Sequence, residues 1–153
     1  MNRIARFIKV GKANYPQKEH YDDIILPKRA TVGSAGYDFF APFDIDLEPN
    51  RTLTVPTGIR AKIDDGWVLM LFPRSGLGFK YRLMLNNTVG IIDSDYYFSE
   101  NEGHIHIKIT NGVKPLFIKK GEAFAQGVFV PFGITVDDNT EGKRNGGFGS
   151  TDK

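Results

Sequence analysis

The chain has 153 residues, 41% of them apolar and 25% charged, which bounds it to one ordinary soluble domain with room for a real core. Its net charge of +2 is too small a basic excess for a protein that coats DNA, although a few local cations suffice for a small nucleotide. With no cysteine it has no disulfide, zinc–thiolate site or thiol nucleophile, and no stretch approaches the ~20 apolar residues of a spanning helix.

From residue 3 to 10 apolar and polar residues alternate, which predicts a strand rather than a signal peptide. A cytoplasmic location is expected, with no membrane and no direct nucleic-acid partner. Residues 15–23 are polar and read as a loop. Strands are predicted over 38–43, 51–55 and 58–63, and the continuous apolar run 67–72 reads as a buried strand. Further strands are predicted over 87–92, 104–110 and 123–131. Turn signals separate them, among them Pro56-Thr57-Gly58, Asp64-Asp65-Gly66 and Asn111-Gly112. Spacing near ten residues indicates an all-β sandwich, barrel or jelly roll. The one predicted helix runs from Ser75 to about Leu83, with Ser75 as its cap. Residues from about Asp137 onward read as a mobile arm.

Several segments carry groups suited to a nucleotide. Pro73-Arg74-Ser75-Gly76 ends the buried strand and opens the helix, offering backbone N–H groups, a guanidinium and a hydroxyl to a phosphate chain; an ordinary capped turn has the same sequence. Asp93 follows two apolar residues, so it is expected at a strand end, where a carboxylate can take a proton from an attacking water. Asp93-Ser94-Asp95 also leaves a metal loop open. Tyr96 offers a flat face to a sugar. Asn87, six residues before Asp93 and predicted on the same strand, carries the donor and acceptor that meet one edge of a pyrimidine. His104 and His106 are predicted on one strand face, with no third metal ligand in sight. In the tail, Phe148 stands among glycines after Arg144 and before Ser150 and Thr151: a ring that can stack on a base, beside groups that can reach phosphates. A P-loop is excluded, because Phe148 and Gly149 stand where Lys and Ser or Thr are required; a dinucleotide fingerprint fails at Tyr81.

In this order the segments resemble the trimeric dUTPase family. Five motifs carry the resemblance: Ala35 to Phe39, Pro73 to Gly76, Asn87 to Tyr96, Ala125-Gln126 with Val128 to Pro131, and Gly146 to Thr151. The resemblance implies a distorted β jelly roll, a β-clip type barrel with one short helix, in residues 1–136, and a flexible arm in 137–153. It implies a homotrimer with active sites shared between subunits, and hydrolysis of dUTP to dUMP and pyrophosphate. Mg²⁺ is implied as cofactor, held through substrate phosphates and water with no direct protein ligand.

By the same resemblance Asp93 activates the water that attacks the α-phosphorus, and Asn87, with the backbone around Ile91 and Ile92, reads uracil. Tyr96 packs under the deoxyribose and leaves no space for a 2′-hydroxyl. Arg74, Ser75, Gly76 and Gln126 hold phosphates, as Arg144 would. Phe148 stacks on uracil, Gly149, Ser150 and Thr151 contact the outer phosphates, His106 lies near the base, and Asp38 supports the site. A dCTP deaminase or a nucleotide sensor on the same fold is the alternative. Two departures stand out: residues 97–103 lengthen the tip after Tyr96, and Lys143 rather than Arg144 holds the family's arginine position in the fifth motif.

Overall fold

The structure, a computed structural model, describes residues 1–147. Twelve strands appear among them: β1 (Ala5–Lys9), β2 (Lys28–Arg29), β3 (Tyr37–Phe40), β4 (Ile45–Leu47), β5 (Thr52–Pro56), β6 (Ile59–Ile63), β7 (Trp67–Pro73), β8 (Met84–Leu85), β9 (Gly90–Ile92), β10 (His106–Thr110), β11 (Leu116–Ile118) and β12 (Ala123–Pro131). One helix, α1 (Ser75–Tyr81), follows β7. All pairings are antiparallel. The largest sheet has the order β2-β3-β12-β7-β9; a second runs β5-β10-β8, and β1-β6 and β11-β4 form two-stranded ribbons. Many short antiparallel strands wrapped about one core make the expected jelly-roll architecture.

The core explains why these residues form these strands. Leu69, Leu71, Ile107 and Ile109 alternate with more exposed neighbours, and with Val55 and Ile59 they meet inside, each no more than 2% exposed. Phe39 and Phe124 are also fully buried, and Phe7 closes one end against Phe39 edge-on at 5.7 Å. At Gly127, where β12 crosses the middle of its sheet, a Cβ would stand 2.8 Å from Leu69 Cδ1, so only glycine lets the strand approach this closely.

Four expectations are corrected. Residues 15–23 are not a plain loop. They fold as a 3-10 turn over Lys18–Asp23, entered through Tyr15, which is fully buried and donates from its hydroxyl to Pro56 O at 3.2 Å. That burial raises the Tyr15 hydroxyl pKa to about 12, with Glu19 adding to it. Asn87 is not on a strand with Asp93; it lies in the turn between β8 and β9, where Thr88 takes the left-handed φ of 67°. Ser75 does not cap α1: the capping position is Arg74, and no side chain closes it. His104 precedes β10 rather than opening it, and it is buried, with its ring 4.1 Å from that of His106. After Pro131 the chain to residue 147 has neither strand nor helix.

Candidate active site

The sheet brings three of the five motifs together at one end of β7. Asp38 on β3 faces Gln126 on β12, which pairs in turn with Phe72 on β7. Gln126 Nε2 donates to Pro73 O at 3.1 Å, and Arg74 Nε meets Asp38 Oδ1 at 3.2 Å. Gly36 makes this possible, since a Cβ there would stand 2.5 Å from Gln126 Oε1. Arg74, Ser75 and Gly76 are exposed and line a cleft of about 640 Å³ with Lys80, Phe117 and Glu122. Two cations, a hydroxyl and a turn of backbone on one open wall suit a polyphosphate.

The third motif builds a different cleft. β9 is the edge strand of the large sheet, so alternate backbone groups point away from β7. Against it, β8 and β10 open a space of about 350 Å³ walled by Asn87, Ile91, Ile92 and His106, with Asn86 and Lys108 at its margin. Its walls are largely apolar, with a few polar groups, as a flat base requires. Gly90 sits close under Leu71, where a Cβ would stand 3.0 Å from Leu71 Cβ. Among the described residues none lines both clefts.

Asp93 ends this wall, directly after Ile92, and begins the 3-10 turn Ser94–Phe98. Its carboxylate is about half exposed, and Oδ2 accepts from Arg144 Nη2 at 2.6 Å. Arg144 Nε also donates to Asp95 Oδ1 at 2.8 Å. Arg144 therefore lies against the carboxylates of its own chain, and not against the Arg74–Gly76 turn. Gly146 O accepts from Ser99 Oγ at 3.3 Å, so residues 144–146 rest on the 3-10 turn and its end. Phe148, Gly149, Ser150 and Thr151 lie outside the described residues.

Tyr96 is buried, and its hydroxyl donates to His104 O at 2.6 Å. Burial raises its pKa, while an Asn101 hydrogen bond at 2.9 Å and the Arg144 charge oppose the rise. His104 Nε2 accepts the Gly58 N–H at 2.9 Å, which requires a neutral ring. Burial first, then the neighbouring His106, lowers its pKa to about 4, and Glu102 only partly offsets them. Among the described residues no three His, Asp or Glu side chains converge as a metal cage.

Sequence reasoning missed Asp95 as the second partner of Arg144, and Asn101, Asn86 and Lys108. Asp95 was signalled by the Asp-Ser-Asp run. Asn101 lies within the extension 97–103 that departs from the family pattern. Nothing local signals Asn86 or Lys108, which reach the cleft only through the β8–β10 pairing.

An all-β jelly roll with an apolar, base-sized cleft, a basic turn and a carboxylate at a strand end is the frame of a small-nucleotide enzyme. The dUTPase family profile matches residues 22–152. The chain is 42% identical over 132 residues to the deoxyuridine 5′-triphosphate nucleotidohydrolase of Lactococcus lactis, covering 84% of this chain and 88% of that one. The crystal structure of the Streptococcus mutans dUTPase superposes with a TM-score of 0.70 at 36% identity, over 86% of this chain and 98% of that one. A mutant of the Staphylococcus bacteriophage 80alpha dUTPase, solved with dUpNHpp, shares the fold with a TM-score of 0.69 at 22% identity, covering 92% and 98% of the two chains. The chain belongs to the dUTPase family.

Proposed function

We propose that this protein hydrolyses dUTP to dUMP and pyrophosphate by water attack on the α-phosphorus. The observation that carries the reading is the position of Asp93: the strand whose Ile91 and Ile92 wall the base-sized cleft ends on that carboxylate. Uracil enters the cleft, with Asn87 and the backbone of the Ile91–Ile92 edge meeting its donor and acceptor groups and His106 beside it. Fixed backbone partners reject cytosine, whose edge pattern is reversed. The ring of Tyr96 packs under the deoxyribose. Phosphates lie along Arg74, Ser75, Gly76 and Gln126, with Asp38 holding the Arg74 guanidinium in place.

Asp93 takes a proton from water as the water oxygen bonds to the α-phosphorus. The bond from that phosphorus to the α–β bridging oxygen breaks, and pyrophosphate leaves in line. Positioning and charge neutralisation supply most of the acceleration for such a substitution. Mg²⁺ fits a donor set of phosphate oxygens and water, its preferred hard ligands, and when bound would neutralise the triphosphate.

No described residue lines both clefts of one chain, so we assign the complete site to a homotrimer in which neighbouring copies supply the base cleft and the phosphate turn. Residues 137–153 act as the arm that covers the bound nucleotide, with Phe148 over uracil and Gly149, Ser150 and Thr151 at the outer phosphates. On binding, Arg144 exchanges its carboxylate partners for phosphate oxygens.

The test is pyrophosphate release from dUTP, dCTP, TTP and UTP by the wild type and by Asp93→Asn. Activity is expected on dUTP alone. The variant should keep its fold by circular dichroism and lose roughly 10²- to 10⁴-fold in kcat, the contribution of a general base. A loss below about tenfold would remove Asp93 from that role.

A further inference from the structure

We infer that Asn101, in the extension after the third motif, is a positioning residue for discrimination against ribonucleotides, acting through the Tyr96 hydroxyl. The inference rests on the proposed packing of Tyr96 against the sugar. A phenol has one proton to donate and lone pairs to accept with. In Tyr96 the donor goes to His104 O at 2.6 Å, and the oxygen accepts from Asn101 Nδ2 at 2.9 Å. The two bonds come from opposite ends of a short segment, so together they fix the tilt of the ring and not only its depth.

Asn101 is itself held. Its Oδ1 accepts the Gly103 N–H at 3.1 Å, and its backbone O accepts the His104 N–H at 3.1 Å. Gly103 has φ of 69°, and a Cβ there would stand 2.6 Å from Tyr96 O, so the turn is tight against the residue it serves. The rest of the extension is tied to the barrel. Arg60 lies 3.7 Å over the Tyr97 ring and donates to Tyr97 O at 2.7 Å. Glu102 pairs with Arg60 at 3.7 Å and accepts from Gly11 N at 3.1 Å and Asn14 Nδ2 at 2.6 Å. These ties make the tip a rigid bracket, and the Asn101 amide is the part of the bracket that touches Tyr96.

The chemical consequence follows from what the ring must do. A 2′-hydroxyl is rejected because the ring occupies its space, and exclusion of a single oxygen depends on ring position to within a fraction of an ångström. Loss of one of the two bonds lets the ring tilt and makes room. The effect belongs on the UTP rate, and on KM for dUTP more than on its kcat, because Asn101 touches neither Asp93 nor the phosphate turn.

The experiment measures kcat/KM for dUTP and UTP with the wild type, Asn101→Ala, Asn101→Asp, Tyr96→Phe and the Asn101→Ala/Tyr96→Phe double variant. Asn101→Asp keeps the oxygen that accepts from Gly103 but puts an acceptor where the donor stood, so the one phenol proton can serve either Asp or His104 O and the two-bond clamp is lost; it carries the test if Asn101→Ala does not fold. The ratio of dUTP to UTP efficiency is expected to fall about threefold to tenfold, the span of one net hydrogen bond. In the Tyr96→Phe background the Asn101 change should add nothing, because the shared partner is gone. An unchanged ratio in an otherwise active enzyme, or an equal fall in the Tyr96→Phe background, overturns the inference and leaves the dUTPase reading standing. A wild type with no activity on dUTP overturns both.

Discussion

His104 shows how one buried side chain couples this fold to pH. Its ring accepts the Gly58 N–H and packs 4.1 Å from the His106 ring, so a proton on Nε2 would break a bond and place charge in an apolar interior. An unfolded imidazole titrates near 6.5, and the folded one near 4. Between those values the unfolded chain binds a proton that the native chain refuses. Stability is therefore full above about pH 6.5 and is lost as pH falls towards 4. At about 1.4 kcal/mol per pH unit, the loss is on the order of 3 kcal/mol. Urea midpoints at pH 7 and pH 4.5 check this: the wild type should lose stability across that interval, and His104→Gln, which cannot take up the proton, should lose distinctly less. The Glu102 carboxyl is held below its usual range, chiefly by Asn14, so its contribution disappears in a lower window and does not mimic the His104 effect.

Among the elements, β9 with the 3-10 turn that follows it, and the C-terminal residues that rest on that turn, carry the function. These residues touch the turn through Arg144 on Asp93 and Asp95, and through Gly146 on Ser99. None of these groups belongs to the core, so removing residues 146–153 should leave the barrel folded. Stacking of a ring on a base contributes about 1–3 kcal/mol. Steady-state kinetics of the truncated chain should then show a loss in kcat/KM of at least about fivefold, with an unchanged circular dichroism spectrum.

The same elements mark how far the residues could be read in advance. β7 was legible because Trp67 to Phe72 is an unbroken apolar run, and Asp93 was legible because it follows the apolar pair Ile91-Ile92. β4 and β11, three residues each, and β8, with two, were not, since so few residues carry no period. Asn87 was placed on a strand because nothing in Asn87-Thr88-Val89 announces a left-handed Thr88, a conformation that β-branched residues rarely take. Buried Tyr15 sits in a segment whose polarity is that of a loop. The pairing of Arg144 with Asp93 spans 51 positions and has no local pattern at all. Pattern reaches what neighbours in sequence decide together; these features are decided by contacts between distant segments.

For the whole molecule, the separation of the two clefts is the governing fact. The base cleft draws on β5, β7, β8, β9 and β10, the phosphate turn on Arg74 with α1, β11 and β12, and the chain also exposes Ile91, Phe117, Phe132 and Ile134. Apolar surface of this kind is commonly covered by another subunit. Light scattering should give a particle of three times 17.1 kDa. Equal amounts of Asp93→Asn and Arg74→Ala, each nearly inactive alone, should regain measurable dUTP hydrolysis after they are dissociated and reassembled together. Failure to regain any would place both groups in a site built by one chain.

Because no described residue borders both clefts, the proposed trimer makes the damage done by a substitution depend on which molecule carries it. In the proposed trimer an injured base cleft would borrow a sound phosphate turn from its neighbour, and the reverse, so a mixed population of half-broken copies should retain some working sites. The enzyme's tolerance of error is thus a property of the company each copy keeps.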